Sequence, residues 1–217
     1  LSSYSTRATG QVGCMAQGQA DDGLISLDLR APIWDRFFTV APLVLVGTTE
    51  PDGSADLAPK HMVTPLGWDN YIGFVCTPDH GTYRNAKRTG EFTVTFARPG
   101  GVVAASLASA PRCEDDEKAG LALLETLPGT EVSAPLAAGG YLYLECELHG
   151  TWDDFGRNSL VAGRIVAARV AEDAVRLSDR DDADTVAGAP LLVYLPPGRF
   201  AEVAESHAFP FHGGMKR

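Results

Sequence analysis

The chain has 217 residues, 45% of them hydrophobic and 21% charged, enough for one well-buried domain and an ordinary balance for a globular protein. Its formal net charge is −10, with only 18 Lys and Arg scattered along it, which argues against a reader of nucleic-acid backbone, since that needs a concentrated basic footprint. No apolar stretch approaches the roughly 20 residues of a membrane-spanning helix, so neither nucleic acid nor membrane is expected as a partner.

Four cysteines (Cys14, Cys76, Cys113 and Cys146) form no CxxC pair and no metal-ligand spacing. Cys76 and Cys146 stand inside apolar β-runs, where cysteine behaves as a small hydrophobe. No disulfide and no zinc site is expected, and a reducing, cytoplasmic setting fits best. The opening Leu1-Ser2-Ser3-Tyr4 lacks an initiator Met and a signal-peptide apolar core, and reads as trimmed.

In chain order, residues 1–30 read as a polar, Gly-rich N-terminal arm, in which Leu24 to Leu29 is either one short strand or a segment lying over a partner. Residues 31–217 read as a single domain. It begins with a helical turn or loop anchored by aromatic residues, Ile33 to Phe38. Pro42 to Thr48 is a buried strand, and Pro51-Asp52-Gly53 a turn with a left-handed position at Gly53. Pro59 confines its strand to an edge or bulge, because it cannot donate to a ladder. Tyr71 to Cys76 is another strand, and Thr82 to Arg88 a short helix ended by Gly90. Glu91 to Ala97 alternates, with Phe92, Val94 and Phe96 on one face. Val102 to Ser109 reads as a helix. So does Cys113 to Leu127, where Glu114-Asp115-Asp116-Glu117 complements the macrodipole and Leu121, Leu124 and Leu127 share a face. Tyr141 to Leu148 and Leu160 to Val170 alternate as strands joined by a polar loop, Thr151 to Asn158. Leu191 to Leu195 is a last β-run before a Pro-Pro-Gly turn and a tail. The sum is a mainly β (α+β), Greek-key-like barrel with short helices.

Two segments carry chemistry. Ala58-Pro59-Lys60-His61-Met62 offers an outward-facing edge with two basic side chains; taken alone, it reads first as a surface edge strand whose Lys blocks sheet-to-sheet aggregation. Thr77-Pro78-Asp79-His80-Gly81-Thr82-Tyr83-Arg84-Asn85 delivers a hydroxyl, a guanidinium and an amide to a helix start, where free N–H groups and the macrodipole favour an anion. The alternative there is an ordinary N-cap at Asp79 or Thr82 with an exposed Arg. Two donor-rich, positively charged loops on a β-scaffold suit a phosphorylated planar cofactor.

In order along the chain stand Asp56-Leu57-Ala58-Pro59, Thr82-Tyr83-Arg84-Asn85, Gly90-Glu91-Phe92-Thr93-Val94, Gly163-Arg164-Ile165-Val166 and the tail Ala208-Phe209-Pro210-Phe211. This series resembles the flavin reductase-like, FMN-binding split-barrel family, over roughly Trp34 to Val170 plus the tail. The resemblance implies a homodimer with FMN, rather than FAD, in a cleft at the subunit interface. It implies that Ala58, Pro59, Lys60, His61 and Met62 flank the ring and ribityl chain. Thr64, Thr82, Arg84 and Asn85 become phosphate and ribityl contacts, with Thr77 and His80 as additions. It also implies NAD(P)H as electron donor and a partner oxygenase or small organic substrate as acceptor.

One position departs from the family pattern. Many of these reductases carry a Gly-Asp-His-Thr-like motif before the late strand, its His facing the nicotinamide side of the flavin. Here the stretch is Gly156-Arg157-Asn158-Ser159, and Asn158, unlike His, exchanges no proton near neutral pH. Asn158 and His61 are the candidate catalytic positions. Other chemistries lack their motifs: the chain has no HExxH, no GK[ST] after Pro99-Gly100-Gly101 and no Gly-x-Ser-x-Gly elbow. The readings that stand are an FMN-dependent oxidoreductase, a non-catalytic FMN- or haem-binding module, and a cofactor-free dimeric interaction protein.

Overall fold

Apolar residues at period two organise this chain, and most runs of them become strands. The structure, a computed structural model, describes residues 23–110, 118–177, 182–210 and 212. The elements are β1 (Ala41–Pro42), β2 (Val44–Thr49), β3 (Ala55–Lys60), β4 (Val63–Pro65), β5 (Tyr71–Cys76), α1 (Gly81–Thr89), β6 (Glu91–Ala97), α2 (Val102–Ala108), β7 (Thr126–Leu127), β8 (Leu136–Ala137), β9 (Gly140–Phe155), β10 (Asn158–Val170), α3 (Asp182–Gly188), β11 (Leu191–Leu195) and β12 (Arg199–Val203). Short 3-10 turns lie at Pro99–Gly101, Ala119–Leu123 and Glu172–Ala174. The chain divides into two units, Leu1–Phe38 and Thr39–Arg217.

Seven strands form one antiparallel sheet in the order β3-β2-β6-β9-β10-β5-β4. Val44 and Val46 near one edge meet Val63, Ile72 and Phe74 near the other in a single core, so the sheet is curled on itself as a split barrel. Phe92, Val94, Leu144, Cys146 and Val161 fill the interior, and Tyr83 and Ala86 of α1 close it. Alternation sends Leu45 and Leu57 outward, where they pack on Ala105 and Ala108 of α2 and on Leu121 and Leu124. β2 is buried on both faces, which is why its first part, Val44 to Gly47, reads as an unbroken apolar run. Gly47 is required there: a Cβ would lie 1.9 Å from the Pro135 carbonyl oxygen and 2.4 Å from Thr93 Oγ1.

Several expected elements hold. Gly53 takes the left-handed turn position with φ +88°, and β3, which carries Pro59, is an edge strand. Gly90 ends α1 with φ +76°, its N–H bonding the Ala86 carbonyl at 2.9 Å.

Others differ. The helix expected over Cys113 to Leu127 falls partly on 113–117, outside the described residues. From Lys118 onward the chain is extended, then a 3-10 turn, then β7. Lys118 is tied to Asp56, and Gly120 packs so closely on Leu107 that a Cβ would lie 2.5 Å from its carbonyl oxygen. Leu121 and Leu124 keep their apolar role without a helix. The polar loop expected over Thr151 to Asn158 is strand instead. β9 runs to Phe155 and turns through Gly156 and Arg157 straight into β10, because an antiparallel hairpin solvates polar side chains on an open face. Leu24 to Leu29 forms no strand. The tail holds an unexpected strand, β12, paired with β11.

Candidate functional site

A cleft of about 460 Å³ opens between the end of β3, the start of α1, the end of α2 and Lys118. β3 brings Ala58, Pro59 and Lys60 to it from the sheet edge, where Pro59 stands opposite Leu45. The turn after β5 brings Asp79, His80 and Gly81, and α1 brings Thr82 and Arg84. Ser109 closes the far end of α2.

The N-cap of α1 is His80, with extended backbone and no side-chain capping bond, rather than Asp79 or Thr82. No acidic residue stands in the first turn. The positive end of the helix therefore faces the cleft with no capping bond from the His80 side chain. Arg84 reaches back to donate to the Asp79 carbonyl, which folds its guanidinium over the same loop. Thr82 is 2% exposed and its hydroxyl lies 3.4 Å from Asp56 Oδ2. Burial holds the His80 imidazole below its ordinary pKa, with Lys60, Lys118 and Arg84 acting in the same direction against Asp79. The imidazole is thus biased to its neutral form, and the positive charge of the cleft rests on Lys60, Arg84 and Lys118.

The remaining expected residues lie elsewhere. Asn85 is buried and turned into the sheet, its amide nitrogen 3.4 Å from Thr48 Oγ1 and its oxygen facing Arg88. His61 leaves β3 beside Lys60 and packs on Tyr194 of β11, ring centroids 4.8 Å apart. Burial, then Lys60, keep its pKa low as well. Met62 is about half exposed, and Thr64 on β4 donates to the Pro65 carbonyl at 3.2 Å. Thr77 and Asn158 meet each other, Oγ1 to Oδ1 at 3.3 Å, where β10 begins beside the end of β5.

Sequence reasoning missed Lys118, Asp56 as a buried anchor, Ser109 and Tyr194. Lys118 follows an acidic run and carries no motif, so only the folded chain brings it beside β3. Asp56 stood in the quoted Asp56-Leu57-Ala58-Pro59 motif, and its charge was the available signal.

The architecture is a split barrel with a cationic cleft at a helix N-terminus. The sequence matches the flavin reductase like domain over residues 37–196, and the chain belongs to that family. Solved structures share the fold. Component B of nitrilotriacetate monooxygenase from Bacillus cereus is 19% identical, with a TM-score of 0.72 covering 86% of this chain and 98% of that one. An FMN-binding protein from Thermus thermophilus, with bound p-hydroxybenzaldehyde, is 21% identical, with a TM-score of 0.70 covering 86% and 100%. A protein with a split barrel domain from Shewanella frigidimarina is 19% identical, with a TM-score of 0.70 covering 80% and 87%.

Proposed function

We propose that this protein is an FMN-dependent oxidoreductase that holds the FMN phosphate in the cleft at the start of α1. The observation that carries the reading is the convergence of Lys60, Arg84 and the α1 N-terminus on one cleft. That donor set fits a phosphate monoester: fixed amides, a guanidinium fork and an ammonium, with the helix dipole adding to them. The FMN-binding neighbour of the same fold supports the choice of ligand.

In this reading Arg84, Lys60, Thr82 and His80 surround the phosphate. Ala58, Pro59, His61 and Met62, along the β3 edge and the turn after it, flank the ribityl chain and ring, and Thr64 and Thr77 stand further along. Asn85 holds the Thr48 side of the helix in place and does not line the cleft. Bound FMN supplies two-electron redox chemistry. The chain's own part is to fix the phosphate, to orient the ring against a wall of backbone, and to place Lys60 and neutral His61 near it. NAD(P)H is the proposed donor, and a partner oxygenase or a small organic compound the acceptor. The likeness to a monooxygenase component B supports the oxygenase option. A second copy of the chain completes the pocket, as the exposed aromatic residues on the open side of the sheet suggest.

The test is binding of FMN against riboflavin. Arg84→Ala is expected to weaken FMN by about 1.5–3 kcal/mol, the range of a charge-assisted hydrogen bond, and to leave riboflavin almost unchanged. Equal losses for both ligands would assign Arg84 a purely structural role.

A second reading, an FMN binder with little NAD(P)H turnover, is favoured by Asn158. Its side-chain oxygen accepts a hydrogen bond from Thr77, so the position offers no titrating group. Steady-state NAD(P)H consumption separates the two: vigorous turnover by the unmodified protein removes the second.

A further inference from the structure

Lys118 reaches the cleft from the segment that follows α2, and its ammonium is held. Nζ lies 2.6 Å from Asp56 Oδ1 and 3.2 Å from the Leu57 carbonyl oxygen. The Lys118 side chain is 12% exposed and that of Asp56 1%. The other Asp56 oxygen faces the hydroxyls of Thr82 and Thr48, each at 3.4 Å. One buried carboxylate therefore ties together two residues that line the cleft, Thr82 of α1, whose hydroxyl donates to it, and Lys118 from a distant part of the chain. An ammonium has three N–H groups, and two have these partners. The third has no partner among the described residues and is left for a ligand.

We propose that Lys118 is a third phosphate-binding cation of the cleft, beside Lys60 and Arg84, and that Asp56 is its positioning residue. This rests on the reading of the cleft as a phosphate site. A free lysine loses much rotamer freedom when it closes on a ligand, and prior attachment to Asp56 removes most of that cost. The buried carboxylate in turn has no tolerable state without a cation, so the pair stays closed before the ligand arrives. Simple charge counting predicts the reverse, that Asp56 weakens an anion site by its own negative charge. The two ideas give opposite signs.

The experiment measures FMN and riboflavin affinity for Asp56→Asn and for the double variant Lys118→Met with Asp56→Asn. The double variant removes both charges with near-isosteric groups, so no unpaired buried carboxylate is left to unfold the protein. It is expected to bind FMN about tenfold more weakly and riboflavin as the wild type does, the loss of one hydrogen bond to a charged group. Asp56→Asn alone is expected to weaken FMN by a smaller factor. In the ligand-free protein it should also speed amide exchange over Lys118–Leu124, a readout that needs no flavin. Wild-type FMN affinity in the double variant, or tighter FMN binding by Asp56→Asn, overturns the proposal while leaving the phosphate site standing. A wild-type protein that binds FMN and riboflavin equally removes the phosphate site itself, and the proposal with it.

Discussion

Over β2, β3, β6 and the first half of β9, the outer face of the sheet is roofed. α2 and Leu121 cover Leu45 and Leu57. The Thr93 hydroxyl donates to the Pro135 carbonyl, and the Ala137 N–H donates to Thr95 Oγ1 at 3.1 Å. Glu145 anchors the next turn, accepting from the backbone N–H groups of Thr130 and Glu131 at 2.7 Å and of Val132 at 3.2 Å. Over β4, β5, β10 and the second half of β9 the same face carries its own side chains and the turn between β4 and β5, with Leu66 packed over Gly73, and its rings lie in the open. Ile72, Phe74 and Cys76 point into the barrel, so Tyr71, Gly73 and Val75 point out. Tyr71, His149 and Trp152 form a row of rings with centroids 5.0 and 6.2 Å apart. Trp68 is 96% exposed nearby in sequence, in the turn between β4 and β5. The roofed side is completed by the chain's own loops through polar latches. The open side keeps large apolar rings in solvent, as a surface does when something else covers it.

The contrast breaks first at Gly47. Pro135 approaches the strand so closely that any side chain must displace backbone. Gly47→Ala is expected to lower stability by about 3 kcal/mol, the upper part of the overpacking range, read as a reduced denaturation midpoint. An unchanged midpoint would mean the roof is loosely seated.

Glu145 tests whether the latch is electrostatic. Burial alone would raise its pKa, but the N–H groups of Glu131, Thr130 and Val132 and the Thr130 hydroxyl together outweigh burial and hold it below the ordinary value. A lowered folded-state pKa means the ionised form stabilises the fold. That contribution is complete at neutral pH and is lost as pH falls below the ordinary value of 4.5 towards the folded one. Glu145→Gln is expected to cost about 2 kcal/mol at pH 7, since it loses the charge and leaves donors poorly met. The gap from wild type should shrink as the pH falls through that window. A gap that stays constant with pH would leave shape, not charge, as what the latch provides.

The legible part of the molecule was its strands, because period-two alternation reports one buried face directly. β6 and the central run of β9 were visible in that way, and so was α1, bounded by Gly90. The family resemblance, carried by short motifs at the ends of such elements, rested on the same regular stretches. Segments whose conformation is set by a distant partner were not legible. Lys118 to Leu127 has helical spacing, yet the tie to Asp56, more than 60 positions earlier, sets its path. Thr151 to Asn158 looked like a loop because its polarity was read without the hairpin partner that keeps it extended. At the site, the motifs located the β3 edge and the α1 start. They could not say that Asn85 turns inward to Thr48, since a helix of nine residues divides its side chains between two faces by packing alone.

The smallest expected change in folding lies on the open side. Trp68 is 96% exposed, so Trp68→Ser removes little that the single chain buries. Surface replacements away from caps and buried networks usually stay within about 0.5 kcal/mol per site. The unfolding midpoint of the isolated subunit should therefore scarcely move, in contrast to Gly47→Ala on the roofed side. Association is where Trp68 should matter. Aromatic residues at the centre of an interface carry much of its energy, so a dimer built on this face should dissociate at protein concentrations where the wild type does not. Sedimentation across a concentration series reads this directly, and FMN affinity measured alongside shows whether the second copy contributes to the pocket. Wild-type association in this variant would move the interface off this face. A large drop in subunit stability would instead mean that this ring belongs to the fold, and that the two sides of the sheet are finished alike.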